Sequence, residues 1–202
     1  MLKLLVLDFD GVIVESNSVK TDAFEEFFGR FPAHAAHMMA YHHEHVSVTR
    51  FAKFDHLLQR LGRAGDQELK NEFADGFSEL VMRRMLEVPM VTGALGFLEL
   101  VGRRVPLYLA SVTPQEELGR ILEHRGLRHY FCGVYGCPPW TKADAILDIL
   151  RIADVSADEA LLIGDSAGDQ RAAASTSIGF LARDSGLPFT SPDPRKFPDM
   201  DK

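Results

Sequence analysis

Two aspartates stand one residue apart at the end of an apolar run, LLVLDFDGV, with a glycine directly after them. On a strand, residues i and i+2 share a side, so Asp8 and Asp10 are expected to point into one space. Acids held that close repel each other and need a cation or a proton between them. The arrangement suits a divalent metal and an electrophile such as a phosphoryl group. Its plain alternative is a strand that ends in an Asx-type turn. Further residues of the same character speak against that. Ser111 and Thr113 follow a second apolar run in LYLASVT, Lys142 opens a helical pattern in WTKADAIL, and Asp165 and Asp169 follow another run in LLIGDSAGDQ.

Roles follow from charge. A carboxylate attacks a phosphate dianion poorly unless cations screen both partners. Asp165 with Asp8 could hold Mg²⁺ through oxygen ligands, and Lys142 could supply a second positive charge. Ser111 and nearby backbone amides, that of Val112 among them, could bind the phosphoryl oxygens. Asp10 would protonate the leaving oxygen and later activate water. Taken singly, Asp165 with Ser166 reads as a helix cap, Ser111 as a strand-end hydroxyl and Lys142 as a solvated lysine. Only the constellation suggests catalysis.

The elements that must bring these residues together are short apolar runs alternating with helical patterns, the signature of a parallel sheet with crossover helices. Strands are expected at Leu4–Leu7, Val105–Ala110, Phe131–Tyr135, Ala160–Ile163 and Ile178–Leu181. Helices are expected at about Ala94–Val101, Gln115–His124, Ala143–Leu150 and Gln170–Ala174. In open parallel sheets, ligands bind beyond the carboxyl ends of the strands, and the suggestive residues all fall there. Between the first two runs no stretch reads as strand. Instead Val19–Phe28, Thr49–Leu61 and Gln67–Leu86 are amphipathic, with Gly62 and Gly65 separating the last two. A crossover needs only about a dozen residues, so the segment reads as an inserted helical subdomain. The expected fold is therefore α/β: a doubly wound, mostly parallel Rossmann-like sheet with an all-helical insertion. Residues 1–15 and 88–202 would form the core and 16–87 the insertion. The tail from Asp184, with Pro188, Pro192, Pro194 and Pro198 among polar residues, is expected to lie loosely on the surface.

A chain of 202 residues can bury one good core and a smaller appendage. With 46% apolar and 25% charged residues it has the balance of a soluble globular protein. Its net charge of −7, with no Lys/Arg cluster, argues against nucleic acid or a membrane surface as partner. No signal-like or bilayer-length stretch is visible, so a cytoplasmic protein, monomer or homodimer, is expected. Cys132 and Cys137 fit no zinc spacing and read as reduced structural thiols.

The chain resembles the haloacid dehalogenase superfamily of phosphohydrolases. DFDGV matches the family's Asp-x-Asp element, LYLAS the strand ending in Ser/Thr, Lys142 the lone lysine and GDSAGD the Gly-Asp-x-x-x-Asp element, in the same order. The resemblance implies that Asp8 is the nucleophile that forms an aspartyl phosphate and that Asp10 is the acid/base. Ser111 and Lys142 would contact the phosphate. Mg²⁺ would be held by Asp8, the Asp10 backbone carbonyl and Asp165, with Asp169 adjacent or water-mediated. The insertion resembles the helical cap of phosphoglycolate-phosphatase-like members, which excludes water and selects substrate. Glu15 matches an acidic position in the hinge of those relatives.

Within the insertion, His34, His37, His42, His43 and His45 crowd together. They make no tidy metal-ligand set and read as exposed or hydrogen-bonded. Arg50 and Lys53 share one helical face. Facing solvent they would be ordinary, and facing the cleft they would suit an anionic substrate. HVSVTRFAKF is similar to cap sequences of hydrolases found among surface-glycan genes, which points to sugar phosphates. The expected function is phosphatase action on a small phosphorylated metabolite. A phosphomutase would use the same pair of aspartates. A phosphonate-cleaving relative would need a cap lysine of lowered pKa, for which Lys53 is a candidate. A non-catalytic module binding a phosphorylated ligand would usually have lost one of the acids or the lysine, and a true dehalogenase lacks the second aspartate.

Overall fold

The computed structural model describes residues 2–45, 50–190, 196–197 and 200. The chain runs β1 (Leu4–Leu7), α1 (Val19–Gly29), α2 (Pro32–Glu44), α3 (Arg50–Arg60), α4 (Gln67–Glu87) and α5 (Ala94–Val101). It continues with β2 (Leu107–Ser111), α6 (Gln115–His124), β3 (Gly133–Gly136), α7 (Lys142–Ala153), β4 (Ala160–Gly164), α8 (Ala167–Thr176), β5 (Gly179–Arg183) and β6 (Lys196–Phe197). It divides into two compact units, Met1–Ser16 with Val88–Lys202, and Asn17–Glu87.

The first unit is a parallel sheet in the order β3-β2-β1-β4-β5-β6. Both faces are covered, so its strands are continuous apolar runs and not alternating ones. Leu4 and Val6 on β1, Tyr108 and Ala110 on β2, and Leu162 on β4 share a core with Ala145, Ile146 and Ile149 of α7 and Ala172 and Ala173 of α8. Leu5 and Leu7 point to the opposite face by the period of two and are equally buried. The order reverses beside β1, because the chain crosses from β3 back to β4. Ligands bind at such a reversal.

The structure differs from two expectations and adds one helix. β5 runs on to Arg183, past the expected end at Leu181. The tail is more than a loose drape, since Lys196–Phe197 pairs in parallel with Ala182–Arg183 as the edge strand. The helix α2 had no counterpart in the sequence reading: it buries only Met38 and His42 and so shows little periodicity, although Pro32 at its first turn marks a start. Among the described residues, no helix is long and apolar enough to cross a membrane.

The second unit is α1 to α4 around an aromatic core. Phe24 stacks on Phe77 with ring centroids 4.3 Å apart, and Phe27 packs on Phe54, Phe73 and Phe77 at 5.2–5.9 Å. Such pairs add about 0.5–1.5 kcal/mol each beyond area burial.

Candidate active site

Register brings the chemical residues to one rim. Leu7 of β1 is level with Leu109 of β2 and with Ile163 of β4. Asp8, Ser111 and Asp165 each stand one or two residues beyond that level, where the strands end. The Asp8 amide is held by the Ile163 carbonyl at 2.9 Å. Directly after it, the Phe9 carbonyl accepts from the amides of Ile13 and Val14, winding a single turn that Gly11 enters at φ +67°. Only glycine takes that conformation without strain.

Asp8 is 5% exposed, and its Oδ1 accepts from the Phe9 amide at 2.8 Å and from Lys142 Nζ at 2.9 Å. Lys142 opens α7 just after its N-cap Thr141, and its ammonium also binds Asp169 Oδ1. Asp169 Oδ2 accepts from the Asp165 amide at 3.2 Å, the Ser166 amide at 3.1 Å and the Ser166 hydroxyl at 2.6 Å. With the Asp169 amide bonded back to Ser166 Oγ, this is a capping box at the start of α8. Its packing fixes Gly164, where a β-carbon would stand 2.4 Å from that of Asp169.

The electrostatics show a cluster short of positive charge. Burial, and then the charge of Asp169, push the Asp8 carboxyl well above the usual carboxylate range, although Lys142 pulls the other way. Burial would also raise Asp169, but Lys142 and the Ser166 donors outweigh it and leave Asp169 below the ordinary value. Burial opposes the charge on Lys142, yet the two acids more than offset it and raise its pKa. Asp8, Asp165 and Asp169 offer carboxylate oxygens all within 4.8 Å of one another. Three buried acids against one lysine, all hard oxygen donors, fit a divalent cation such as Mg²⁺.

Asp10 takes a different position from Asp8. β1 ends at Leu7; the Asp8 amide still bonds to Ile163 of β4, whereas Asp10 lies in the turn that starts at Phe9. Asp10 Oδ1 accepts from Ser16 Oγ at 2.5 Å and Oδ2 from Thr113 Oγ1 at 2.9 Å. Its charge is also felt at Asp8, which it raises. Ser111 is fully buried, and its Oγ accepts from the Thr113 amide at 3.1 Å. Val112 between them is 58% exposed.

The sequence reading missed Ser16, which carries no signal beyond its residue type. It also missed Arg183, whose guanidinium binds Glu15 (below). Arg50 and Lys53 engage partners within the helical unit. Arg50 donates to Ser78 Oγ at 2.8 Å and lies over the Phe77 ring. Lys53 is 1% exposed, with its ammonium 3.0 Å from His42 Nδ1 and 4.8 Å from the Phe24 ring centroid. Their sequence spacing suggested one shared face, but Lys53 points inward, and burial lowers its pKa. His42 Nε2 is 3.0 Å from Thr21 Oγ1, and His37 and His56 face each other through their Nε2 atoms at 3.0 Å. Among the described residues no histidine joins a group of three metal-ligating side chains.

No curated protein sequence matches this chain. Solved structures do. A haloacid dehalogenase-like family hydrolase of Streptococcus pneumoniae superposes at TM-score 0.73 with 22% identity, covering 96% of this chain and 93% of that one. A Haemophilus somnus protein described as a predicted phosphoglycolate phosphatase gives 0.78 at 16% identity, covering 98% and 95%. A Bacillus subtilis HAD-hydrolase described as bound to magnesium gives 0.70 at 17% identity, covering 99% and 96%. Identities this low speak for the fold alone. The model of the haloacid dehalogenase-like hydrolases, however, matches residues 5–182, and the chain belongs to that family.

Proposed function

We propose that this hydrolase is a Mg²⁺-dependent phosphatase of a small phosphorylated metabolite, a sugar phosphate or a phosphoglycolate-like acid. The observation that carries the reading is the buried Asp8–Lys142–Asp169 cluster, with Asp165 completing its oxygen donors. The Haemophilus somnus neighbour supports the substrate class, and the Bacillus subtilis one supports the metal.

Asp8 attacks phosphorus, and the bond from phosphorus to the leaving oxygen breaks as the aspartyl phosphate forms. Asp10 gives its proton to that oxygen, then takes one from the water that releases orthophosphate and restores Asp8. Lys142 and Ser111 hold the phosphoryl oxygens, with the Val112 amide beside them. Mg²⁺, when bound by Asp8, Asp165 and the backbone carbonyl of Asp10, would offset the charge of substrate and nucleophile. The Asp10 carbonyl is assigned to the metal by the family resemblance, and the Asp10 carboxylate is engaged by Ser16 and Thr113. Asp169 orients Lys142 and the loop of Asp165. The helical unit would serve as the cap that selects substrate. The protein would work in the cytoplasm as a monomer or homodimer, without nucleic acid or membrane as partner.

The test is phosphate release from a panel of sugar, organic-acid and nucleotide phosphates, with Mg²⁺ or EDTA. Release that requires Mg²⁺ and disappears in Asp8→Asn is expected. A folded, magnesium-bound protein inert on every compound would overturn the reading. Burial lowers the pKa of Lys53, as a second reading would need: phosphonate cleavage in which its amine forms a Schiff base with a carbonyl substrate, although His42 and Phe24 enclose that amine. A carbonyl-bearing phosphonate in the same panel, with borohydride trapping at Lys53, separates the two.

A further inference from the structure

Arg183 ends β5 with its side chain nearly buried, and nothing in the chemistry above uses it. Gly164 and Ala182 pair in register, so Arg183 stands level with Asp165 on the same rim. Its guanidinium makes a fork. Nη1 donates to Glu15 Oε2 at 2.8 Å and Nη2 to Glu15 Oε1 at 2.5 Å, while Nη1 also donates to the Gly11 carbonyl at 3.0 Å. A bidentate guanidinium–carboxylate pair fixes orientation as well as distance, which a lysine cannot do.

The points it grips both follow the proposed acid/base closely in the chain. Gly11 is the residue after Asp10 and makes the left-handed turn. Glu15 precedes Ser16, whose hydroxyl holds Asp10 Oδ1. The Glu15 amide is meanwhile held by the Pro89 carbonyl at 2.9 Å. The loop carrying Asp10 is thus pinned at Gly11 and again at Glu15, both from one side chain on β5. If Glu15 withdraws, a nearly buried guanidinium loses a bidentate carboxylate, a cost that favours the closed fork.

We infer that Arg183 and Glu15 are a positioning pair for Asp10, holding the β1 loop so that its carboxyl meets the leaving oxygen. The inference rests on the phosphatase reading. It predicts damage concentrated in proton donation: a leaving group that departs as a stable anion needs no proton, and a poor one does.

The experiment compares kcat/KM for p-nitrophenyl phosphate and phenyl phosphate in the wild type, Arg183→Lys and Glu15→Gln, with Mg²⁺. The two probes share a ring and differ in the acidity of the leaving phenol. The ratio kcat/KM reports steps up to expulsion of that phenol and leaves out later hydrolysis of the aspartyl phosphate. General acid catalysis is worth about 10²–10⁴-fold, so both variants should lose at least about tenfold on phenyl phosphate. On p-nitrophenyl phosphate they should stay within about threefold of wild type, which also shows that they are folded. Parallel losses on both probes, or no loss on either, would overturn the positioning role while leaving the phosphatase reading intact. A wild type inert on both, and on every phosphate of the metabolite panel, would overturn that reading and the inference with it.

Discussion

Both carboxylate oxygens of Asp169 are engaged inside the protein, one by Lys142 and the other by three donors of the α8 cap. Its work is therefore to hold other groups still, and the demand for positive charge falls on Asp8 and Asp165. A cation that binds the folded cluster and not the unfolded chain stabilises the fold by mass action, about 2.7 kcal/mol at a hundredfold excess over Kd. For a chain of this size that raises Tm by roughly 5–10 °C. Thermal unfolding with increasing Mg²⁺ should show the rise, EDTA should reverse it, and Asp165→Asn should flatten it. A wild-type Tm indifferent to Mg²⁺ would argue against the metal assignment.

At the scale of elements, the helical unit packs α1, α2 and α3 around a polar thread, Thr21–His42–Lys53, set among phenylalanines. Burial first, and then the Lys53 charge, push His42 down to about 4. An unfolded histidine titrates near 6.5. Between those values the unfolded chain binds a proton that the folded one refuses, so this contribution to stability falls as pH drops from about 6.5 to about 4. Unfolding by urea across that range should show a steeper loss for the wild type than for His42→Gln, which has no such proton to take up; equal slopes would remove His42 from the account. The sequence identified α1, α3 and α4 because each buries an apolar stripe. It could not reveal α2, nor that Lys53 turns inward, because helical spacing says which residues share a face and not what covers it. The strands were easier to read: a parallel strand buried on both faces is a bare apolar run. Their ends were not, and the extension of β5 to Arg183 went unread because Arg183 looks like a residue leaving the sheet.

At the scale of the whole molecule, Asp8, Asp10, Ser111, Lys142, Asp165 and Asp169 all belong to the unit of Met1–Ser16 and Val88–Lys202. The two connections to the helical unit are paired there: Val14 bridges Met90, the Val91 amide binds the Ile13 carbonyl at 3.0 Å, and the Glu15 amide binds Pro89. Residues 16 and 88 therefore leave from a closed ladder. Replacing residues 17–87 by a short Gly/Ser linker should leave a folded unit, seen by circular dichroism, whose Tm still rises with Mg²⁺. A folded product blind to Mg²⁺ would mean that the helical unit is part of the metal site, and an unfolded one that the remaining unit depends on it for stability.

The sequence by itself determined the α/β class and the family, because both are written in local patterns: apolar runs of strand length, helical periods, and short motifs that each follow a strand. It also proposed Asp8, Lys142, Asp165 and Asp169 as partners, since parallel strands deliver their following residues to one rim. Tertiary structure alone decided the partners of Asp10 and the grip of Arg183 on Gly11 and Glu15. Ser16 to Asp10 and Arg183 to Glu15 are contacts of turn and register. They depend on where the chain bends at Gly11 and on how β5 aligns with β4, and neither is encoded in the spacing of the residues that meet.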